Sequence, residues 1–427
     1  MPSKISTHQK TQLLRSHYAA LQNPDIRFFI GSVGFFTLAS RALAVVIGFQ
    51  IYKITHSALA LGWLGLVEAI PALSLVLIGG YVADHFNRRK ILLITRASSC
   101  ACALILAALS YQKHDISVGG LYAVIFLAGI ARGFADPANT AFEAQVVPKL
   151  LTFNATSWIS STWMSCSILG PTIIGFTFDG LGAAASYIVI SGFFILSWIF
   201  TLIIGPKPQS FPAHKEPLSK SISIGWRFVF ANQPLLGAMA LDLFAVLFGG
   251  VIALLPMYAN DILHVGAKGL GMLNAAPSLG ALVIMLYATK YPPISHAGRN
   301  LLLTVMGFGL SILLFAFSRN FLFSIFALIL SGMFDGVSVV IRRCMVRLLS
   351  PDDMRGRISA VSWIFVCSSN ELGAFESGML ASAIGAVPCV AVGGVVTLAV
   401  MGMTAWLSPQ LRRLRFNPQT ASTPYLP

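Results

Sequence analysis

A few ionisable side chains lie inside long apolar stretches of this chain: Arg41, Glu68, Arg132, Asp136, Asp242, Asp335, Glu371 and Glu376. A charge held in a membrane span costs several kcal/mol even by the lower scales, so each is a functional candidate by default. The chemistry open to them is ion pairing between helices and proton carriage. A proton-carrying carboxylate must be able to become neutral near neutral pH, and burial away from water favours that form. Glu68, Asp242, Asp335 and Glu371 are the candidates. The plainer alternative for each is a satisfied hydrogen bond between helices. Arg132 and Asp136 stand four residues apart and can pair along one helix face. Other chemistries lack their residues. No clustered His/Cys metal set, nucleophile–base pair or Gly-rich phosphate loop stands out, so neither an enzyme nor a cofactor is expected. No nucleotide-binding domain is evident, which argues against an ATP-driven pump on this chain alone. Cys100 and Cys102 are the only close pair among six cysteines. Their spacing is neither a zinc nor a redox signature, and the cysteines read as small buried hydrophobes.

The elements that must carry these residues follow from composition. Of 427 residues, 56% are apolar and only 10% charged. A soluble domain carries about 25% charged residues. The apolar residues come in runs such as Phe28–Tyr52, Leu61–Val82, Ile91–Tyr111 and Phe321–Ile341. About twenty apolar residues cross the hydrocarbon core as a helix, and lipid cannot satisfy exposed backbone groups. The runs do not alternate, as a membrane β-barrel would require. The expected spans are 28–52, 61–82, 91–111, 119–146, 152–178 and 184–204, then 234–258, 267–289, 300–318, 321–349, 357–383 and 388–408. This is an all-α membrane protein of twelve helices. Segment 1–27 precedes the first bundle, 28–204. A polar linker, 205–233, leads to the second bundle, 234–408, and a tail, 409–427. Met1–Asp25 is polar and lacks the apolar core of a signal peptide. Spans four and ten exceed the hydrocarbon thickness, so tilt or projection is expected.

The net charge is +14. In a soluble protein that would suggest nucleic acid; here its location argues for topology instead. With both termini on one side, Arg88, Arg89 and Lys90 share a loop. Arg342, Arg343, Arg347, Arg355 and Arg357 fall in or beside another, and Arg412, Arg413 and Arg415 lie in the tail. Lys4, Lys10, Arg15 and Arg27 are on the same side. Only Lys53, Lys113, Lys268 and Arg319 fall opposite, and Arg41 and Arg96 lie within spans. Cytoplasmic loops are enriched in Lys and Arg, so both termini are expected in the cytoplasm. Tyr52, Tyr258, Trp63, Trp158 and Trp363 fall near span ends, as an interfacial aromatic belt would place them.

The two halves repeat. Gly65 and Pro71 in span two correspond to Gly271 and Pro277 in span eight, 206 residues on. Tyr52 corresponds to Tyr258 at the same offset. In span four, Gly129-Ile130-Ala131-Arg132-Gly133 precedes Pro148; in span ten, Gly332-Met333-Phe334-Asp335-Gly336 precedes Pro351, 203 residues on. Ser157-Trp158 and Ser362-Trp363 then open the following spans. The pattern is one six-helix unit present twice in the same orientation, as in transporters with parallel repeats. It makes Arg132 and Asp335 counterparts. A pseudo-twofold axis would set them facing one another as a charge pair. The alternative is local pairing, of Arg132 with Asp136 and of Asp335 with Arg342 or Arg343.

The loop after span two reads Gly80-Tyr81-Val82-Ala83-Asp84-His85-Phe86-Asn87-Arg88-Arg89-Lys90. It resembles the signature loop of the major facilitator superfamily, Gly-x-x-x-Asp-Arg-x-Gly-Arg-Arg/Lys, with His85 in place of Arg and Asn87 in place of Gly. A small Gly80 would let two helices approach closely. Asp84 can cap the positive end of another helix dipole, which the resemblance implies is span eleven, near Arg357. Arg88 and Arg89 would help hold the cytoplasmic side closed. Span five contains Gly170-Pro171-Thr172-Ile173-Ile174-Gly175. This is similar to the antiporter motif Gly-Pro-x-x-Gly-Gly, with Ile174 replacing one Gly. Proline bends the helix, and in that branch the motif is associated with export. Across most of the chain, Leu241-Asp242-Leu243-Phe244-Ala245, Met354-Arg355-Gly356-Arg357 and Ser369-Asn370-Glu371-Leu372-Gly373 resemble the bacterial subgroup of enterobactin-type siderophore exporters.

The resemblance implies that spans one, four, seven and ten line a central cavity shared by Arg41, Arg132, Asp242 and Asp335. It orders the proton-coupling candidates as Asp335, Asp242, Glu371 and Glu68. It implies a bacterial inner-membrane exporter of a siderophore- or drug-like small molecule, working by alternating access with proton antiport. The expected partners are the cargo, protons and the bilayer, with no nucleic acid, in a monomer. Proton-coupled uptake or flipping of a lipid-like cargo are the nearest rivals. A non-transporting receptor or enzyme is the rival of a different class.

Overall fold

Each apolar run becomes a helix because, away from water, only its own backbone can satisfy its N–H and C=O groups. The computed structural model describes residues 18–111, 117–207, 218–291, 293, 295–351 and 354–416. Lys4, Lys10, Arg15, Lys113 and the central linker residues Pro208, Pro212, His214, Lys215, Glu216 and Pro217 lie outside the described residues. The spanning helices are α1 Pro24–Thr55, α2 Ala58–His85, α3 Arg88–Tyr111 and α4 Val118–Val146. The helical stretch Thr152–Ile203 contains a non-helical Gly182 with φ 81°, which divides it into α5 (152–181) and α6 (183–203). The second set begins with α7, Gln233–Gly249. Short helical turns extend α7 to Ile262, the last of them π-helical. Then come α8 Gly266–Lys290, α9 Ala297–Ala316, α10 Phe321–Leu349, α11 Arg355–Ile384 and α12 Ala386–Leu407.

Among the described residues, ten stretches are long and apolar enough to cross a membrane, one of them the 50-residue stretch that α5 and α6 share. The thirty-residue α11, which carries Glu371 and Glu376, is not among the ten. Counting the two halves of the long stretch and α11 gives the twelve helices expected from the sequence.

Polar side chains start several helices. Ser117 accepts from the Gly120 amide, Asn232 from Leu235 and Asn320 from Phe323, each satisfying an amide that the first turn leaves orphaned. The repeat also shows in the backbone. Gly182 at φ 81° and Gly385 at φ 86°, 203 residues apart, both separate the fifth and sixth helices of a set. Both adopt an extended backbone with positive φ, which glycine reaches without a Cβ clash. His56 at φ 47° and His264 at φ 52° occupy the two corners between first and second helices.

The helices form two compact units. One holds α1 up to Ile47 and the chain from Val67 through α6. The other holds Gly48–Leu66 and the chain from the linker onward. In the first unit, α2 and α4 meet at glycines. A Cβ on Gly129 would lie 2.7 Å from the Pro71 ring, and one on Gly79 would lie 2.3 Å from the Gly133 carbonyl oxygen. In the second, α8 and α10 repeat the arrangement. A Cβ on Gly332 would come within 1.9 Å of the Pro277 carbonyl oxygen, and one on Gly280 within 2.0 Å of that of Ile329. The Gly/Pro repeat in the sequence is therefore a repeat of close helix contacts.

Three expectations are corrected here. Gly80 is not the close-packing glycine of its loop: a Cβ there would meet nothing within 4 Å, whereas Gly79, one residue earlier, is in tight contact. One residue rotates the side-chain direction by about 100°, and the α4-facing side falls on Gly79. Tyr52 and Tyr258 are not belt residues; both are fully buried. Tyr52 donates a hydrogen bond to Asp261, and Tyr258 donates to the Ala316 carbonyl. Finally, the latter part of the linker forms a helix, Leu218–Ala231. Its Gly225 packs against the Arg357 carbonyl of α11, and Trp226 lies 5.4 Å from Phe365.

Candidate functional site

Five of the eight charged candidates inside the helices are gathered into clusters, three in the first unit and two in the second. In the first, the Arg132 Nη1 donates to Glu68 Oε1 at 2.9 Å, and its Nε lies 3.7 Å from Asp136 Oδ2. Arg132 and Asp136 are one turn apart on α4, while Glu68 arrives from α2. The glycine contact explains the reach: Gly129, three residues before Arg132, would place a Cβ 2.5 Å from the Glu68 carbonyl oxygen. All three side chains are partly exposed.

In the second unit, Arg342 holds two carboxylates. It forms an ion pair with Asp242 of α7, and its Nη2 lies 3.8 Å from Asp335 Oδ1 on its own helix. Asp242 is buried, with 6% of its side chain exposed, whereas Asp335 is 45% exposed. A small cavity beside the pair is lined by Asp242, Met239, Arg342, Ser362 and Phe365. The sequence analysis counted Arg342 with the basic loop residues. The structure instead turns it into the bundle, because Asp335 and Arg342 are seven residues apart and share a helix face. That spacing was the available signal.

Within its own unit Arg132 has Asp136, the local partner the sequence suggested, and more closely Glu68, which it did not; within the other, Asp335 has Arg342. Of the remaining candidates, Glu371 is half-buried on α11. A Cβ built on Gly65 would lie 3.9 Å from its Oε2. The carboxylate of Glu376 accepts from Ser377 at 3.4 Å. Arg41 stacks on Trp163 of α5, Cζ to ring centroid 5.4 Å. Gly170 makes the α1–α5 approach possible: its Cβ would fall 2.7 Å from the Leu38 carbonyl oxygen. Pro171 and Gly175 follow it, both buried.

The signature-loop residues anchor the first unit. Asp84 lies 3.7 Å from Arg88. Arg88 donates to the Ala83 and Ala141 carbonyls, and Arg89 to those of Thr201 and Leu202 at the end of α6. The last carbonyls of a helix have no intrahelical donor, so Arg88 caps the end of α2 through Ala83 and Arg89 caps the end of α6, while the bond to Ala141 ties α4 to the same corner.

Arg96 was passed over as a site candidate. It is 2% exposed, its Nε and Nη1 have no hydrogen-bond partner among the described residues, and its Cζ lies 5.8 Å over Phe36. A buried charge without a partner is costly. Arg96→Met keeps the length and removes the charge. It is expected to stabilise the protein by about 1–4 kcal/mol, read as a higher unfolding midpoint in detergent. A lower midpoint would show that the charge is compensated.

Twelve spanning helices among the described residues, with charged clusters held among them, fit a multi-pass membrane transporter. The sequence profile of the Major Facilitator Superfamily matches residues 29–367, and the chain belongs to that family. Among curated relatives, it is 26% identical over 377 residues to the enterobactin exporter EntS of Shigella flexneri, covering 88% of this chain and 90% of the relative. It is 26% identical over 378 residues to the EntS protein of Escherichia coli O81 (strain ED1a), with the same coverage. Among solved structures, a POT family transporter in complex with 5-aminolevulinic acid superposes with a TM-score of 0.73 at 12% identity. That match covers 90% of this chain and 96% of the other. An inward-facing, unoccupied bacterial homolog of the human lysosomal transporter Spinster gives 0.70 at 14% identity, covering 97% and 100%. At these identities the two structures establish the fold alone.

Proposed function

We propose that the protein exports a siderophore- or drug-like small molecule across a bacterial inner membrane, by alternating access coupled to proton antiport. In this reading it works as a monomer with both termini in the cytoplasm. The observation that carries the coupling is the Asp242–Arg342–Asp335 cluster. Two carboxylates share one guanidinium, which leaves one excess negative charge inside an apolar bundle. One proton discharges it. Asp335 is the proton carrier in this reading, because it is the more exposed and more loosely held carboxylate. Asp242 stays ionised as the buried partner of Arg342. Export, rather than uptake, rests on the relatives' activity and on the Gly170-Pro171 motif of α5. Asp84 would complete the cycle by docking on the start of α11 when the cytoplasmic side closes.

The test uses the whole protein in proteoliposomes with an imposed pH gradient and a panel of siderophore-like and drug-like compounds. Wild type is expected to move cargo against an opposing proton flux. Asp335→Asn is expected to lose at least ten-fold of gradient-driven flux while still exchanging cargo across the bilayer without a gradient. Full proton-driven export by Asp335→Asn would overturn the assignment of the carrier. Absence of flux for wild type under either gradient direction would overturn the transport coupling itself.

A further inference from the structure

We infer that segment 408–416, which follows α12, forms with Arg299 of α9 a binding site for the anionic headgroup of a phospholipid. This site lies outside the transport reading and takes from it only the side of the membrane, the cytoplasmic leaflet. The segment begins with the helical turn Pro409–Arg413 and is built into the second unit. Leu411, Leu414 and Phe416 are at most 5% exposed. They share one core cluster with Leu301 of α9 and Leu241 of α7. The Gly298 amide, at the start of α9, donates to the Leu414 carbonyl at 3.3 Å. A Cβ on Gly298 would stand 1.6 Å from the Leu411 carbonyl oxygen, so only glycine admits the segment there. Gln233, at the start of α7, donates to the Leu407 carbonyl at 3.2 Å. Buried side chains and backbone contacts therefore fix which face of the segment looks outward.

That face is basic. Arg412, Arg413 and Arg415 are interleaved with the buried residues and are all exposed, and Arg299, next to Gly298, is exposed too. The contact of Gly298 with the backbone of Leu411 and Arg412 brings together the two stretches that carry these four side chains. Among the described residues, none of the four has a carboxylate within ion-pair distance. Like charges gathered on a rigid segment repel one another, and a bound anion turns that repulsion into attraction.

Depth selects the anion. α9 has 20 residues and α12 has 22; at 1.5 Å per residue they are about 30 and 33 Å long. That just matches a hydrocarbon core of about 30 Å, so the start of α9 and the end of α12 lie at its boundary. The last turns of α12 leave Met403, Trp406 and Leu407 exposed, Trp406 by 79%. Exposed Trp at a helix end is what a membrane interface favours. Arg299 is in the first turn of α9, and Arg412 follows Leu407 by five residues. The four arginines therefore lie at the level of the lipid phosphates, where basic side chains attract anionic lipids. Each guanidinium can donate two parallel hydrogen bonds to phosphate oxygens. A lipid also uses what a soluble polyanion does not: its acyl chains cover Met403, Trp406 and Leu407 beside the basic face.

The experiment measures equilibrium binding of labelled phosphatidylglycerol to the purified full chain in detergent, so its result does not depend on which side the tail occupies. The competitors are unlabelled phosphatidylglycerol, phosphatidylcholine, glycerol 3-phosphate and a single-stranded RNA. Wild type is expected to bind saturably, with phosphatidylcholine competing about ten-fold less well or worse than phosphatidylglycerol. Arg412→Gln/Arg413→Gln/Arg415→Gln is expected to weaken binding about ten-fold or more, and Arg299→Gln alone about three-fold. The three substituted tail residues are exposed, so the unfolding midpoint stays at the wild-type value. The control is Arg27→Gln/Lys90→Gln/Arg227→Gln, which removes the same charge from exposed side chains on other helices; it is expected to bind like wild type. Arg412→Lys/Arg413→Lys/Arg415→Lys keeps the charge but loses the paired hydrogen bonds, and is expected to be intermediate. No saturable binding, equal competition by phosphatidylcholine, or unchanged affinity in the tail variant would each overturn the site. An equal loss in the control would assign the binding to overall charge and overturn it as well. Glycerol 3-phosphate or RNA competing as well as phosphatidylglycerol would make the ligand a soluble anion and overturn the lipid.

Discussion

Arg342→Gln is expected to destabilise the second unit by about 3–5 kcal/mol and to abolish proton-coupled flux. Asp242 is 5% exposed, and its ion-pair partner is Arg342. Removing the guanidinium leaves a carboxylate among Leu235, Ala238, Met239, Val346 and Phe365, where an ion has no solvation. The damage differs from the loss of an exposed pair, which is worth at most about 1 kcal/mol. A second substitution separates a charge effect from a packing effect. In Asp242→Asn/Arg342→Gln no ionised group is left in the buried pair, so part of the stability returns. A double-mutant cycle should give a coupling of 0.5–3 kcal/mol, measured by thermal or denaturant unfolding in detergent. Flux stays lost in the double variant, because Asp335 then has no guanidinium on its own helix face to release and recapture. Additive single effects would remove the pair from the account of both stability and coupling.

Gly332→Val is expected to eliminate folded protein, while Gly80→Val leaves the yield and unfolding midpoint close to wild type. The first Cβ would stand 1.9 Å from the Pro277 carbonyl oxygen and 2.5 Å from its carbon. Those are backbone atoms, so no rotamer change relieves the clash; α8 and α10 must separate. Separation opens the neighbouring contact, where Gly280 meets the Ile329 carbonyl. Overpacking a core usually costs about 1–3 kcal/mol, and a backbone-to-backbone collision across two linked contacts exceeds that range. Gly80 is the glycine that the signature-loop resemblance singles out, yet open space surrounds it. The measurement is the monodisperse fraction after solubilisation. Equal behaviour of the two variants would contradict the glycine seam.

The candidate site was legible in part. The ionisable residues within spans could be named from the sequence because charge inside an apolar run is conspicuous. Arg342 was named only as a possible partner of Asp335; its pairing with Asp242 was hidden, since it sits near the end of a span beside Arg343 and Arg347, where the positive-inside pattern supplies an ordinary explanation. Trp163 was hidden as one aromatic among many apolar neighbours. Tyr52 looked like an interfacial residue by position, and only the packing of Gly48–Leu66 within the second unit shows it buried on Asp261. The amphipathic linker helix lay beside a Pro-rich polar stretch that masked it.

What the sequence by itself determined is the solvent and the repeat. Runs of about twenty apolar residues permit only helices in lipid, and the nearly constant spacing of Gly65, Pro71, Gly129 and their counterparts encodes two copies of one bundle. Which charges meet across helices was decided by tertiary structure alone. Pairing depends on helix rotation and on how closely backbones approach, and both are set by contacts such as Gly129 on Pro71 and Gly332 on Pro277. Those contacts bring Glu68 to Arg132, and the meeting of α7 with α10 brings Asp242 to Arg342. Linear order carries no information about the angle at which one helix faces the next.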